Sequence, residues 1–392
     1  MVNQLIFVIN SGSSSLKFQL IEMPAEEVKF NGIFERIGAE QADLTYTYQG
    51  VKHREELLIN THREAVDYLL QLVLDIGVVS SLEEVEGVGH RVAHGGTYAD
   101  SQLVTGEVLD RITQLNQFAP SHNPVNVLGI EAFQKALPKI GQVAVFDTSF
   151  HQTLEEEYFL YPLPYRYYDN HQIRKYGFHG TSHQYIATTV AELLGDTPNL
   201  KVISCHLGNG ASICAIRDGL SVNTSMGFTP LAGLMMGSRS GDIDPSIVTY
   251  LQTLENKSPE EIEDVMNRES GLLGVSGLSN DLRDIEHAAA QGNHRAELAI
   301  KMFNNRVAQT IATYIVDLQG VDCLVFTAGI GENSKTMRSS VCQLLSVFGI
   351  EIDEEKNHQG ATFIQKDSSQ IKVAIIPTNE EIMIARDVVR LT

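Results

Sequence analysis

An apolar run (Leu5–Ile9), a stretch of small polar residues (Asn10–Ser15) and a second apolar run (Leu16–Ile21) open the chain. The pattern predicts strand, tight turn, strand. Lys201–Ile216 repeats it, with apolar runs on either side of a Gly-Asn-Gly turn. The echo predicts a duplicated core, one copy per domain. Further strands are expected at Val28–Ile37, Leu44–Tyr48, Val85–Gly96, Val143–His151, Val321–Thr327 and Lys372–Ile376. Helical periodicity marks His62–Ile76, Gly106–Phe118, Val127–Leu137, a helix opened by Tyr176–His183 and running to Leu194, Ile285–Leu318 with a break near Gly292, and Lys335–Phe348. Ser258–Glu261 and Thr378–Glu381 read as capped helix starts. Ala119–Pro124 reads as a turn, and Val222–Pro245 and Leu272–Leu282 read as loops. Alternating strands and helices predict an α/β protein with covered sheets. The long insertion between the two hairpins predicts two lobes with a cleft between them.

At 392 residues the chain is long enough for two domains, and 43% hydrophobic with 20% charged residues is ordinary for a globular protein. The net charge of −20 argues against nucleic acid and an anionic membrane surface as partners. An anionic ligand would therefore need positive charge gathered locally. The four cysteines show no paired metal spacing and read as reduced, buried thiols of a cytoplasmic protein. The amino end does not read as a signal peptide. No apolar run approaches the ~18 residues of a membrane span.

Three Gly- or Ser-rich turns follow apolar strands: Ser11–Ser15, Gly208–Ser212 and Gly329–Asn333. Such turns let backbone N–H groups approach phosphate oxygens. Together they suit a nucleotide, although the first alone also reads as a plain Ser-rich hairpin. The Walker pattern is absent, and AGIGEN lacks the full dinucleotide fingerprint. Lys17, Arg91 and Arg239 are the basic residues in small-residue surroundings. Arginine suits a bidentate grip on carboxylate or phosphate, and a structural ion pair is the competing reading for each. His90/His94 and His179/His183 are spaced by four but lack the Glu of a zinc-protease motif, which argues against zinc. His179, at a helix entrance, reads as a donor to developing negative charge; His122 and His206 read equally well as structural. Asp147 and Glu380 stand where a carboxylate can help hold a hard cation, and Glu380 equally complements a helix dipole. The aromatic stretch Tyr158–Tyr168 reads as a packed surface or dimer contact before a ligand site.

From Val8 to the C-terminus, NSGSSSLKF, GHRVAHGG, FDTSFHQT, YGFHGTSH, HLGNGAS, TSMGFTPLAGLMMGSRSGDIDP, ESGLLGVSG, FTAGIGENS and IPTNEE stand in the order seen in the acetate/propionate kinases, and the chain resembles that family of the actin-like ATPase superfamily. The resemblance implies an α/β fold of two lobes, each a copy of the ribonuclease H-like fold. Residues 1–149 with 378–392 would form the substrate and metal side, and 150–377 the nucleotide side. It implies a cytoplasmic homodimer that phosphorylates a short carboxylate with ATP, reversibly and by direct in-line transfer, with Mg²⁺ or Mn²⁺. Asn10 and Glu380 would support the metal. Lys17, His206, Leu207, Gly208, Asn209, Gly210, Asp281, Leu282, Arg283, Gly329, Ile330, Gly331, Glu332 and Asn333 would bind ATP. Arg91 would hold the substrate carboxylate, Asp147 would be the catalytic carboxylate, and His179 and Arg239 would stabilise the transition state.

A short carboxylic acid is already ionised at neutral pH, so its oxygen needs no base. The difficulty is bringing an anion to an anion, which makes catalysis a matter of positioning and charge neutralisation. On that ground Asp147 reads as a residue that orients Arg or metal. Two departures from the family pattern concern the substrate methyl pocket that the resemblance implies: Ala93 stands where Val is common, and Ser121 where Leu is common. The smaller Ala93 leaves room for about one or two methylenes, each worth about 0.8 kcal/mol, so acetate and propionate both remain open. The motif forms look closest to propionate kinases of the propanediol-utilisation type. A sugar or glycerol kinase, or a non-catalytic nucleotide-binding protein of the same superfamily, is the alternative reading, and neither gives Arg91 and Arg239 a role.

Overall fold

The computed structural model describes residues 3–195 and 197–392. The chain divides into two compact units, Met1–Phe150 with Asn379–Thr392, and His151–Thr378. Thr378 falls with the second unit because its hydroxyl meets Ser182 Oγ at 2.8 Å and its N–H meets Glu332 Oε1 at 3.4 Å.

The first unit is built on an eight-stranded sheet: β1 (Gln4–Gly12), β2 (Ser15–Met23), β3 (Glu27–Glu35), β4 (Ala42–Tyr48), β5 (Val51–Leu57), β6 (Val85–Val92), β7 (Gln102–Leu103) and β8 (Gly141–Phe146). Their spatial order is β5-β4-β3-β2-β1-β6-β8-β7. Successive side chains of a strand face opposite sides, and β1 buries both. Phe7 and Ile9 join Phe18, Phe133 and Leu69, the last from the helix His62–Asp75. Ile6 and Val8 join Val143, Val145 and the apolar face of the last helix, Glu380–Leu391, through Ile382, Ile384 and Val388. That helix lies close on β6: a Cβ at Gly87 or Gly89 would come within 2.3 Å of Val388 or Ile384.

The second unit holds β9 (Lys201–Leu207), β10 (Ala211–Arg217), β11 (Leu220–Thr224), β12 (Cys323–Thr327) and β13 (Lys372–Ile375), in the order β11-β10-β9-β12-β13. The long helix His294–Leu318 covers it with Phe303, Val307 and Ile311. The duplication now has a topological form. In each unit a hairpin leads to a third antiparallel strand on one side (β1-β2-β3 and β9-β10-β11). Two parallel strands follow on the other (β6 then β8, β12 then β13).

Several local expectations are corrected. The charged segment Val51–Leu57, to which the sequence pattern assigns no element, is a strand, β5, because an edge strand needs no apolar face outward. Asn123 and Pro124 do not close a turn but begin the helix Asn123–Ala136, with Pro in its first turn. The start of the loop expected over Val222–Pro245 is taken by β11. Gly271–Ser276 forms a short helix inside the expected loop. Gly329–Asn333 is not a turn: Ala328 takes a left-handed φ of 63° and the segment Ala328–Asn333 coils into a short helix. The last helix is capped by Asn379, whose Oδ1 accepts from Ile382 N at 3.1 Å, and not by Thr378. All four cysteines are buried and free. No helix among the described residues is long and apolar enough to cross a membrane.

Candidate active site

In the first unit, sheet register gathers the charges. Asn10 on β1 lies directly across from Lys17 on β2. Arg91, near the end of β6, is opposite Val145 on β8, and Asp147 lies two residues farther along, its N–H donating to Val92 O at 3.0 Å. Arg91 therefore meets Asp147 at two points: Nε to Oδ1 at 3.0 Å and Nη2 to Oδ2 at 2.6 Å. Its Nη1 donates to Asn10 Oδ1 at 3.3 Å. The Asp147 charge holds the Arg91 guanidinium well above its ordinary range.

The last helix adds two carboxylates to this cluster. Lys17 Nζ pairs with Glu381. Burial pushes the Glu380 carboxyl up to about 7; Arg91 pulls it back, while Asp147 and Glu381 push it further. Asn10, Lys17, Gln19, Arg91, Glu380 and Glu381 line a cavity of about 20 Å³, room for about one water or one small ion. Glu380 and Glu381 face Lys17 and Arg91 across it, and a bound cation would favour the ionised form of Glu380. Among the described residues no three His, Cys, Asp or Glu side chains converge on a metal-sized point. The donor set suits Mg²⁺, which takes one or two carboxylates and completes its shell with water and phosphate oxygens. Ala93 is buried and Ser121 is exposed, with its Oγ 2.9 Å from His122 Nδ1; neither lines this cavity.

In the second unit, the turn between β9 and β10 is the meeting point. Gly208 N donates to Gly210 O at 3.1 Å. The loop after β11 closes on it: Gly237 N donates to Asn209 O at 3.0 Å. Only glycine fits there, since a Cβ would lie 1.8 Å from Asn209 Oδ1. The tight segment Met236–Arg239 then brings Arg239 back over Gly210. Arg239 Nη1 and His179 Nε2 both lie 3.5 Å from the point where a Gly210 Cβ would stand. His179 is held there as the residue before the helix Gly180–Leu194, with a left-handed φ of 57°. For a residue other than glycine that conformation costs of order 1 kcal/mol and has to be held by its surroundings.

Burial alone pulls Arg239 below its ordinary range, and among the described residues it forms no ion pair. Its Nη1 points to Met236 Sδ at 3.9 Å. A partly buried guanidinium without a carboxylate suits an anionic ligand.

Beside this point is a cavity of about 690 Å³, lined by Gly208, Asn209, Asn280, Asp281, Leu282, Arg283, Glu286, Gly329, Ile330, Asn333 and Ser334. Asp281 caps the helix Leu282–Ala290 and binds the Arg283 guanidinium. Arg338, itself buried, holds the far end of the Ala328–Asn333 helix by donating to Gly331 O at 2.8 Å and Glu332 O at 2.9 Å. Of the residues expected at the nucleotide, Leu207 is core and Gly331 is the buried residue of the Ala328–Asn333 helix. Glu332 meets Thr378 N, and His206 stacks on His179 with ring centroids 4.1 Å apart. Lys17 belongs to the first unit's cluster.

The acetokinase family pattern matches residues 5–386. This chain belongs to the acetokinase family. It is 56% identical over 388 residues to a propionate kinase of Citrobacter freundii, covering 98% of this chain and 96% of that one. It is 53% identical over 390 residues to an acetate kinase of Geobacillus sp. strain WCH70, covering 98% of both. The crystal structure of a propionate kinase from Francisella tularensis superposes with a TM-score of 0.95 at 40% identity, over 99% of this chain and all of the other. That of Porphyromonas gingivalis acetate kinase gives 0.94 at 42%, over 99% of both. This acetokinase has the two-domain actin-like ATPase fold, and its activity is the ATP-dependent phosphorylation of a short-chain carboxylate. Sequence reading missed Asn280, Glu286 and Ser334 in the larger cavity and Gln19 and Glu381 in the smaller one. Gln19 and Glu381 do fall at period-two and helix-start positions beside residues that were singled out.

Proposed function

We propose that the second unit of this acetokinase holds ATP in its large cavity and that the first holds the carboxylate on Arg91. The γ-phosphoryl group passes in line to a carboxylate oxygen, without an enzyme-bound intermediate and in either direction. The observation that carries this reading is the pair of Arg239 Nη1 and His179 Nε2 over Gly210, next to that cavity. Two convergent donors, one of them a guanidinium lacking a carboxylate partner, suit the charge that builds on a transferring phosphoryl group. Lys17 remains proposed as a contact to the phosphates.

Mg²⁺, with Mn²⁺ as substitute, would be held by Asn10 and Glu380 and would supply charge neutralisation on the phosphate oxygens. Asp147 orients Arg91 through both carboxylate oxygens and needs to take no proton. The protein is proposed to act in the cytoplasm as a homodimer. The helix Pro245–Glu255 buries no residue and exposes Ile247, Tyr250 and Leu254 at helical spacing, an apolar stripe that suits a second copy of the chain. Sedimentation at a single subunit mass, unchanged by Tyr250→Glu, would remove that proposal.

Both acetate and propionate are proposed as substrates, with propionate used at least as well. Ala93 supports this, since it is a small buried residue two positions after Arg91, just past the end of β6. Hydroxylamine trapping of acyl phosphate in the presence of Mg-ATP, comparing kcat/KM for acetate, propionate and butyrate, tests it. Acetate ahead by more than about tenfold, roughly 1.4 kcal/mol, would overturn the role given to Ala93.

A further inference from the structure

His179 is one end of a buried chain of hydrogen bonds. Its Nδ1 lies 2.9 Å from Ser212 Oγ, and the same hydroxyl lies 2.8 Å from His183 Nε2. His183 Nδ1 in turn lies 2.9 Å from Ser204 Oγ. Ser204, Ser212 and His183 are fully buried. Burial pulls His183 well below the ordinary histidine range, and His151 and His206 add to that. His183 is therefore neutral and carries one ring proton.

Each link in this chain takes one proton, and each hydroxyl supplies one. The protons thus have only two arrangements that use every link. In the first, His179 Nδ1–H donates to Ser212, Ser212 donates to His183 Nε2, and His183 Nδ1–H donates to Ser204. That order leaves the Ser204 hydroxyl proton in the core, where among the described residues Ser204 Oγ has no second hydrogen-bond partner. An unpaired buried donor is the costly case. In the second order, Ser204 O–H donates to His183 Nδ1, His183 Nε2–H donates to Ser212, and Ser212 O–H donates to His179 Nδ1. No donor is stranded, and a neutral His179 must then carry its proton on Nε2, the atom that lies, like Arg239 Nη1, 3.5 Å from where a Gly210 Cβ would stand.

We infer that Ser204, His183 and Ser212 are positioning residues that set the tautomer of His179, so that a neutral imidazole presents an Nε2–H donor beside Arg239. The inference deepens the proposed role of His179 and rests on it. It also explains why the site has no need of an imidazolium: a second charge there would sit beside Arg239 and against the stacked His206 ring. Each proton stays on its own heavy atom through the reaction; only the direction of donation is set.

The test is a long-range ¹H–¹⁵N correlation spectrum of the full-length protein labelled with ¹⁵N-histidine, with His179 assigned by its absence in His179→Gln. The expected result is a pyridine-type Nδ1 and a pyrrole-type Nε2 at neutral pH. The reverse pattern, or two protonated nitrogens, overturns the inference. Ser212→Ala should lower kcat about tenfold or more while both KM values stay within about twofold, and Ser212→Thr should restore most of it. Unchanged kcat in Ser212→Ala also overturns it. If that variant does not fold, the wild-type spectrum still decides. A His179→Gln enzyme with full activity would instead sink the catalytic reading of His179 and leave the proton order standing.

Discussion

Arg91 and Asp147 share two parallel hydrogen bonds, and Asp147 is nearly closed to solvent while Arg91 keeps about a quarter of its side chain exposed (26%). The carboxylate uses both oxygens on the guanidinium, which aims the remaining Nη1 edge at Asn10 and the small cavity.

Asp147→Asn should therefore act on Arg91 rather than on a proton. An amide cannot accept both bonds, and the guanidinium loses its partner in a largely desolvated place. The expected outcome is a fall in kcat/KM for the acid of about a hundredfold or more, with a pH–rate profile that stays flat near neutrality. Loss of a rate limb that tracks a carboxylate pKa in the wild type would show that Asp147 does accept a proton.

Glu380 makes a contribution to the stability of the ligand-free protein that falls as pH rises. Its folded pKa of about 7 lies above the ordinary 4.5, so between these values the folded state holds a proton the unfolded chain has released. This contribution is full below about pH 4.5, declines through the window, and is gone above about 7, a change of at most about 3 kcal/mol. Thermal unfolding followed from pH 5 to pH 8 should show the decline. Glu380→Gln should abolish it, and Mg²⁺ with nucleotide should flatten it by favouring the ionised carboxylate. A slope unchanged in Glu380→Gln would assign the effect to other groups.

Arg338→Met should loosen the nucleotide side without touching ligand. The change strips the last carbonyls of the Ala328–Asn333 helix of their donor and also removes the bond to Asn357 Oδ1 at 2.8 Å. Unfolding free energy should drop by about 2–4 kcal/mol, and KM for ATP should rise more than KM for the acid. Equal changes in both KM values would mean that the helix is not a nucleotide element.

Ala93→Val should move the acid preference toward acetate. Two added methyl carbons fill about the space of the propionate methylene, so the propionate-to-acetate ratio of kcat/KM should fall a few-fold, in line with about 0.8 kcal/mol per buried CH₂. An unchanged ratio would place the acid's alkyl group elsewhere.

How much of this was legible from the chain depends on what each segment packs against. Strands buried on both faces, such as β1 and β9, announce themselves as apolar runs. β5 does not, because an edge strand with charged side chains carries no such mark. Ala328–Asn333 reads as a turn because three small residues hide a helix held by Arg338, ten residues from its start. The charged residues of the site could be picked out singly, from their Gly and Ser neighbours. Their pairing could not: Arg91 finds Asp147 through a parallel strand register, and Asn10 finds Lys17 through a hairpin register. Ser204 and Ser212 were least visible of all. A serine in an apolar strand looks like a tolerated polar residue until the histidines on either side are known.

The last helix also sets a timetable for biosynthesis. Residues up to Phe150 are made before the second unit but lack Ile382, Ile384 and Val388 against their sheet until the helix Glu380–Leu391 leaves the ribosome. During synthesis of the second unit, that face of β1 and β8, and the glycine-bared surface of β6, stay open. Glu380 arrives with the same helix, so the finished core and the carboxylate at the small cavity appear together, and a chain stopped short of residue 380 has neither.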